Sequence, residues 1–208
     1  MTDKPIILLG GGGHAKVLLD VLKRSGRTVI GFTDPERTEL TGAPYLGDDK
    51  AVLQFDSNAV LLVNGLGSTV STERRASLYR KLHDAGYRFA AAVHPSAVIA
   101  EDVVLGDGVQ IMAGAVIQPG CRLGANVIVN TRASVDHDCT VGNHVHIAPG
   151  AILSGGIHIG DAVHVGTGAV IIQNIRIGAG SLVGAGAVVV KDVSERTKVL
   201  GVPAREVN

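Results

Sequence analysis

From Ile99 onward every sixth residue is aliphatic, and this constrains the fold more than any other feature of the chain. The column runs Ile99, Leu105, Ile111, Ile117, Leu123, Val129, Val135 and Val141. It continues through Ile147, Leu153, Ile159, Val165, Ile171, Ile177, Val183 and Val189, sixteen positions without a break. A second column four residues further on (Val103, Val109, Ala115, Cys121 and their successors to Val193) holds only small or β-branched side chains. Neither an α-helix nor an ordinary strand has a period of six. A parallel β-helix does, with one short strand and one corner per hexad. Three hexads close a triangular coil of 18 residues, so residues i and i+18 stack at the inter-strand spacing of about 4.8 Å. Glycines in segments such as "LGDG" and "VGAG" suit the tight corners. Cys121 and Cys139 are one coil apart in the inward column and are expected to be small core residues, since a reactive thiol needs exposure and a cationic neighbour.

The first 95 residues have a different period. "PIILLG" has the form of a short buried strand. "HAKVLLDVLKRSG" sets Val17, Leu18, Val21 and Leu22 at helical spacing and offers Gly26 as a C-cap. "TVIGFTD" and "AVLLVNGLG" are further strands, "STERRASLYRKLHDAG" is a second helix capped at Ser71 or Thr72, and "YRFAAAVH" is expected as a fourth strand. Alternating strands and helices imply a small parallel α/β domain of Rossmann-like form over residues 1–95, followed by the β-helix and a C-terminal tail over 96–208. The apolar fraction is 46% with no Trp, so Val, Ile, Leu and Ala must build both cores. Nineteen basic residues balance nineteen acidic ones, which leaves no electrostatic footprint for nucleic acid. The four-residue apolar run before the first glycines is too short for a signal peptide or membrane span, so a cytoplasmic location is expected.

Chemistry concentrates in "SVDHDCTVGNHVHIAPGA", residues 134–151. In the 18-residue register Val135, Cys139, Val141 and Val145 point inward, and Asp136, His137, Asp138, His144 and His146 lie at corners or outward. His137 stacks against Gly155, where the missing side chain is expected to leave space for a ligand. An imidazole beside Asp138 suits a general base near pH 7, the carboxylate raising its basicity and choosing its tautomer. His144, His146 and His164 form an alternative metal-binding set. At the N-terminus Gly10, Gly12 and Ala15 fit G-x-G-x-x-A after a strand, and Asp34 ends the next strand. The domain lacks a second mononucleotide-binding half, so this glycine turn at a helix start points to phosphate or a close-packed ligand rather than to a dinucleotide.

The hexad array, the 134–151 stretch, the terminal "GVPAREV" and the N-terminal "GGGGHAKVLLDVL" together resemble the hexapeptide-repeat acyltransferases. More narrowly, residues 4–208 resemble the nucleotide-sugar N-acetyltransferases that include the bacillosamine-pathway enzyme and relatives that O-acetylate sialic acid. The resemblance implies a homotrimer of left-handed β-helices with acetyl-CoA bound between subunits and a nucleotide-linked amino sugar held by the N-terminal domain. It implies His137 as general base, supported by Asp138 where the family usually has a glutamate, and His146 as a donor to the acetyl carbonyl. Gly155 and the backbone at Thr167 and Ala185 are implied acetyl-CoA contacts, a glycine being more usual at 185. Gly12, Gly13 and His14 are implied contacts to the nucleotide sugar, with Asp34 and Gly65 nearby; His14 as a structural cap is the alternative. Pro35 stands where relatives often carry a second acidic residue.

The expected activity is transfer of acetyl from acetyl-CoA to the 4-amino group of a nucleotide-linked 4-amino-4,6-dideoxy sugar by direct attack, with no acyl-enzyme and no metal. Sugar O-acetylation, a metal-dependent hydratase on the same β-helix, and a non-catalytic nucleotide-sugar-binding scaffold are the alternatives. No nucleic-acid or membrane partner is expected.

Overall fold

The computed structural model describes residues 4–69 and 71–207. The N-terminal unit is a four-stranded parallel sheet in the order β3-β2-β1-β4, from β1 (Ile6–Leu9), β2 (Val29–Thr33), β3 (Tyr45–Gly47) and β4 (Leu61–Asn64). Helix α1 (Gly13–Arg24) follows β1, and its buried stripe is Ala15, Leu18, Leu19, Val21 and Leu22. Val17, expected in that stripe, is instead 45% exposed at the rim of the principal cleft. The α1 C-terminus is closed by Gly26 at φ +70, with Gly26 N–H donating to Lys23 and Arg27 N–H to Leu22. Helix α2 (Glu73–Asp84) follows β4. At its start Ser71 Oγ accepts from Glu73 N–H, whereas the Thr72 hydroxyl turns away to the Ala162 carbonyl of the β-helix.

The expected fourth strand within residues 87–94 is divided between the two units. Phe89 makes a single parallel bridge to Leu62, and Ala92–Val93 then pairs with Gln110–Ile111 as the first strand of the β-helix. The fourth strand of the sheet is β3, a three-residue edge strand. The coil therefore begins before residue 96, and Ala90 and Ala92 pack in one cluster with Leu18, Phe32, Met112 and Ile128. That shared core joins the α/β unit to one face of the helix.

The β-helix keeps the expected 18-residue register through its coils up to Val189: Thr140 pairs with Arg122 and His158, and His146 pairs with Ile128 and His164. The last coil is shorter by two residues, Leu182 pairing with Lys198 and Ile177 with Val193. In the central coils each hexad contributes a two-residue strand whose first side chain points out and second points in. Every sixth residue from Gly108 to Gly186 has positive φ, including Asn126, Arg132, Asp138, His144, Ala162 and Asn174. The other repeating glycine does a different job. A Cβ on Gly106 would lie 2.5 Å from the backbone of Gly124 one coil on, so that position is set by close approach of the coils rather than by φ.

The three faces differ outward. The sheet toward the α/β unit presents Gln110, Ile128, His146 and His164, all buried. A second presents Arg122, Thr140, His158 and Arg176 to solvent. The third presents Val98, Val116, Ser134, Ile152, Val170 and Val188, a largely apolar column with Val98 62% and Ile152 46% exposed. Among the described residues no helix is long and apolar enough to cross a membrane.

Candidate active site

Where the C-terminal edge of the parallel sheet meets the coil corners lies a cleft of about 930 Å³. Its walls are the glycine turn Gly12–His14, the end of β2 at Asp34, the loop 65–69 after β4, His146 and His164 on the covered face, and the corners at Thr167 and Ala185. Eight of the expected site residues (Gly12, Gly13, His14, Asp34, Gly65, His146, Thr167 and Ala185) thus share one cavity. The end of a parallel sheet where strand order reverses is the usual ligand crevice of such folds.

The turn is held by Asp34, whose Oδ2 accepts the Gly11 N–H at 2.7 Å while Oδ1 accepts that of Glu36. His14 is not a cap: Gly12 occupies the N-cap position, and His14 Nε2 lies 2.8 Å from Gln110 Oε1 on the β-helix. Burial lowers the His14 pKa to about 4. His146 is lowered further, to about 3, by burial and then by the neighbouring His164 and His14 imidazoles and Arg75. Both rings are therefore neutral at physiological pH. The His146 Nδ1 is 2.6 Å from Ser68 Oγ, and its Nε2 is 3.1 Å from Asn130 Nδ2. Both nitrogens are thus engaged by protein. Asn130 Oδ1 accepts the Thr131 N–H at 2.8 Å, which orients the amide so that Nδ2 faces the ring. The proton of His146 must then reside on Nδ1, and Nε2 accepts. In this arrangement both imidazole nitrogens face protein groups.

His137 and Asp138 lie outside this cleft. They occupy the corner after the apolar face, half a coil from His146. Nδ1 of His137 is 2.8 Å from Asp138 Oδ2, and the hydrogen bond to Asp138, together with the charges of Asp136 and Asp138, raises the His137 pKa above its ordinary value. The shorter acidic side chain does reach the ring. With Nδ1–H given to the carboxylate, Nε2 is left as a basic lone pair on an exposed corner. Two glycines frame the pair. A Cβ on Gly120 would meet Asp138 Oδ1 at 2.4 Å, and one on Gly155 would meet His137 Nε2 at 2.5 Å. The space expected at Gly155 is therefore filled by the imidazole itself, and Gly155 lies outside the cleft.

Among the described residues no group of three His, Cys, Asp or Glu side chains comes together as metal ligands. His144 turns from His146 toward Asn126 Nδ2 and the edge of Tyr79. Cys121 and Cys139 are buried in the coil, and burial pushes the Cys139 thiol up to about 11, so neither supplies a thiolate. Residues that the sequence did not single out complete the seam between the units. Gln110 Nε2 donates to the Asn64 carbonyl, Asn64 Nδ2 donates to that of Arg75, and the fully buried Arg75 guanidinium donates to the Asn126 carbonyl.

Comparison with known proteins agrees with this architecture. Residues 5–82 match the family described as the PglD N-terminal domain, and residues 102–137 and 120–155 match the bacterial transferase hexapeptide repeat. PerB from Caulobacter crescentus, solved with CoA and GDP-perosamine, is 38% identical with a TM-score of 0.92 over 98% of this chain and 97% of that one. The acetyltransferase domain of PglB from Neisseria gonorrhoeae, solved with acetyl coenzyme A, is 32% identical, also at 0.92, over 98% and 99%. The UDP-N-acetylbacillosamine N-acetyltransferase of Bacillus subtilis is 36% identical over 115 residues, so the match spans about half the length of that curated relative. Likeness of this extent to solved sugar N-acetyltransferases, through both the α/β unit and the coil, means that the chain belongs to the hexapeptide-repeat family of nucleotide-sugar N-acetyltransferases.

Proposed function

We propose that this protein transfers acetyl from acetyl-CoA to the 4-amino group of a nucleotide-linked 4-amino-4,6-dideoxy sugar. The observation that carries the reading is the His137–Asp138 pair: a solvent-facing imidazole with Nδ1 held by a carboxylate and Nε2 bare, in a chain without an available thiolate. That arrangement suits removal of a proton and not acyl-enzyme formation. The amine nitrogen attacks the thioester carbonyl and His137 Nε2 takes its proton. The tetrahedral intermediate collapses, the C–S bond breaks, and the CoA thiolate leaves, taking the proton back from His137.

In this reading the glycine turn and Asp34 hold the nucleotide sugar, and the stacked corners at Thr167 and Ala185 hold acetyl-CoA. The CoA, acetyl coenzyme A and GDP-perosamine complexes of the relatives support the choice of the two ligands. Gly155 N–H has no backbone partner and lies beside the His137 ring, which makes it the better-placed donor to the developing oxyanion than His146.

Because His137 and the cleft stand at opposite edges of the apolar face, the reading requires a second copy to bring them together. The column from Val98 to Val188 supports a homotrimer in which one subunit's base meets its neighbour's cleft. Acetyl-CoA and nucleotide sugars are cytoplasmic substrates, so the reading carries a cytoplasmic location.

The test is thiol release from acetyl-CoA with UDP-, GDP- and dTDP-linked 4-amino sugars. Turnover with one of them, lost in His137→Ala, is the expected result. Silence across the panel, with turnover of a sugar hydroxyl acceptor such as free sialic acid, would overturn it in favour of O-acetylation.

A further inference from the structure

Each buried cysteine gives its hydrogen to a backbone carbonyl of the next coil. The Cys121 thiol donates to the Asp136 carbonyl at 3.0 Å, and the Cys139 thiol to that of Ser154 at 3.2 Å. Both side chains are wholly buried, and burial raises both thiol pKa values, so each keeps the hydrogen it donates. Among the described residues no N–H is hydrogen-bonded to either carbonyl, and the thiol is its only donor. The equivalent inward places one coil before and one coil after are Val103 and Ile157, which have no hydrogen to give. The two thiols thus serve two successive corners, those of His137 and Gly155.

The carbonyls that they hold belong to two particular peptide groups. The Asp136 C=O shares a planar trans peptide with the N–H of His137, and the Ser154 C=O shares one with the N–H of Gly155. In a trans peptide the N–H points away from the C=O. A carbonyl drawn to a thiol inside the coil therefore turns its N–H outward. At the first corner that N–H meets Asp136 Oδ1 at 2.8 Å, beneath an imidazole that reaches Asp138. At the second it stands beside the His137 ring without a backbone partner. A hydrogen bond accepted by the carbonyl also polarises the peptide and makes its N–H a better donor. A thiol is a weak donor, so its contribution lies in orientation more than in stability.

We infer that Cys121 and Cys139 are positioning residues for acetyl transfer. Cys121 fixes the peptide that carries the base His137, and Cys139 fixes the peptide whose Gly155 N–H faces the developing oxyanion. The inference rests on the acetyl-transfer reading and gives a use to two side chains that do not enter its chemistry as nucleophiles. Oxygen can take the place of sulfur in such a contact: Ser181, in the same inward column, donates its hydroxyl to the Ser194 carbonyl at 2.7 Å across the shortened last coil. Valine fills the column at Val127 and Val145 with no donor at all.

The experiment compares Cys121→Val, Cys121→Ser, Cys139→Val and Cys139→Ser with wild type in the full chain. Each is followed by steady-state kinetics with acetyl-CoA and the active amino-sugar nucleotide, by thermal unfolding, and by NMR titration of His137. Valine suits the apolar column and removes the donor; serine keeps the donor and buries a hydroxyl. Cys139→Val is expected to lower kcat about tenfold with both KM values and the pH profile unchanged, a part of the loss that follows outright removal of an oxyanion donor. Cys121→Val is expected to loosen the His137–Asp138 bond, which brings the His137 pKa down toward its ordinary value and moves the acid limb of kcat/KM to lower pH. Both serine variants are expected to keep kcat within about threefold of wild type, although they melt at lower temperature than the valine variants. Activity and stability then rank the variants in opposite orders, which a role in packing alone cannot produce. Valine variants as active as wild type, or serine variants slower than the valine ones, would overturn the inference. A wild type inert with every amino sugar overturns the acetyl-transfer reading, whereas a His137 titration unchanged in Cys121→Val overturns the positioning role with or without turnover.

Discussion

A histidine can be a base or a buried strut, and hydrogen-bond partners separate the two. His137 is exposed, has one nitrogen on Asp138 and leaves the other bare. His146 is buried, with both nitrogens taken. Removing the base in His137→Ala should lower kcat about 10²- to 10⁴-fold, the usual contribution of a general base, with the circular dichroism spectrum unchanged. The pH dependence follows from the direction of its shift. Catalysis needs neutral His137, so kcat/KM falls as pH drops through a pKa held above the ordinary histidine value by Asp138. In Asp138→Asn the hydrogen bond to a carboxylate and its charge are both lost. The acid limb of the profile should then move to lower pH, and the plateau rate should fall because a weaker base remains. An acid limb that does not move would mean that Asp138 does not act on the ring.

At the scale of the element, the coil's regularity makes some substitutions interpretable in advance. Gly155 is not at a left-handed position, so its backbone accepts alanine, yet the new Cβ would stand 2.5 Å from His137 Nε2. Gly155→Ala should therefore displace the base and cut kcat tenfold or more, while the melting temperature stays within about 2 °C of wild type. Ile147 is the opposite case, fully buried in the inward column; Ile147→Ala should cost about 2–4 kcal/mol in denaturant unfolding. The period of six makes such inward positions legible in the sequence, and with them the strand pairing of the regular coils, because one repeat fixes the others until the last coil shortens by two residues. It also placed His137 against Gly155. The left-handed corners were hidden wherever Asn126, Arg132 or Ala162 replaced glycine. Strand β3 was hidden because it is three residues long, directly after Pro44 and carrying Gly47. Least legible were the polar contacts between units: His14 and Gln110 are 96 residues apart, and Ser68 and His146 are 78 apart, so no local pattern joins them. Their partners could be found only once the α/β unit was seated on the covered face of the coil.

The whole molecule separates its reacting parts across a single chain. The cleft stands at one edge of the apolar face and the His137–Asp138 pair at the other, so in the proposed reading the acceptor and acetyl-CoA lie at one edge and the base at the other. In the proposed trimer, packing that face against a second copy would hide Val98 and Ile152, and a neighbouring subunit would bring the base to the cleft. Ile152→Lys should accordingly yield monomers by light scattering and abolish turnover, although no catalytic side chain has changed. A stricter test mixes two inactive variants. His137→Ala keeps an intact cleft and lacks a base; His14→Ala keeps the base and has a damaged cleft. If each site takes its base from one subunit and its cleft from the next, trimers reassembled from an equal mixture contain both intact halves at about one site in four, and about a quarter of wild-type activity should return. If base and cleft belonged to the same chain, every site in the mixture would carry one lesion and no activity would return.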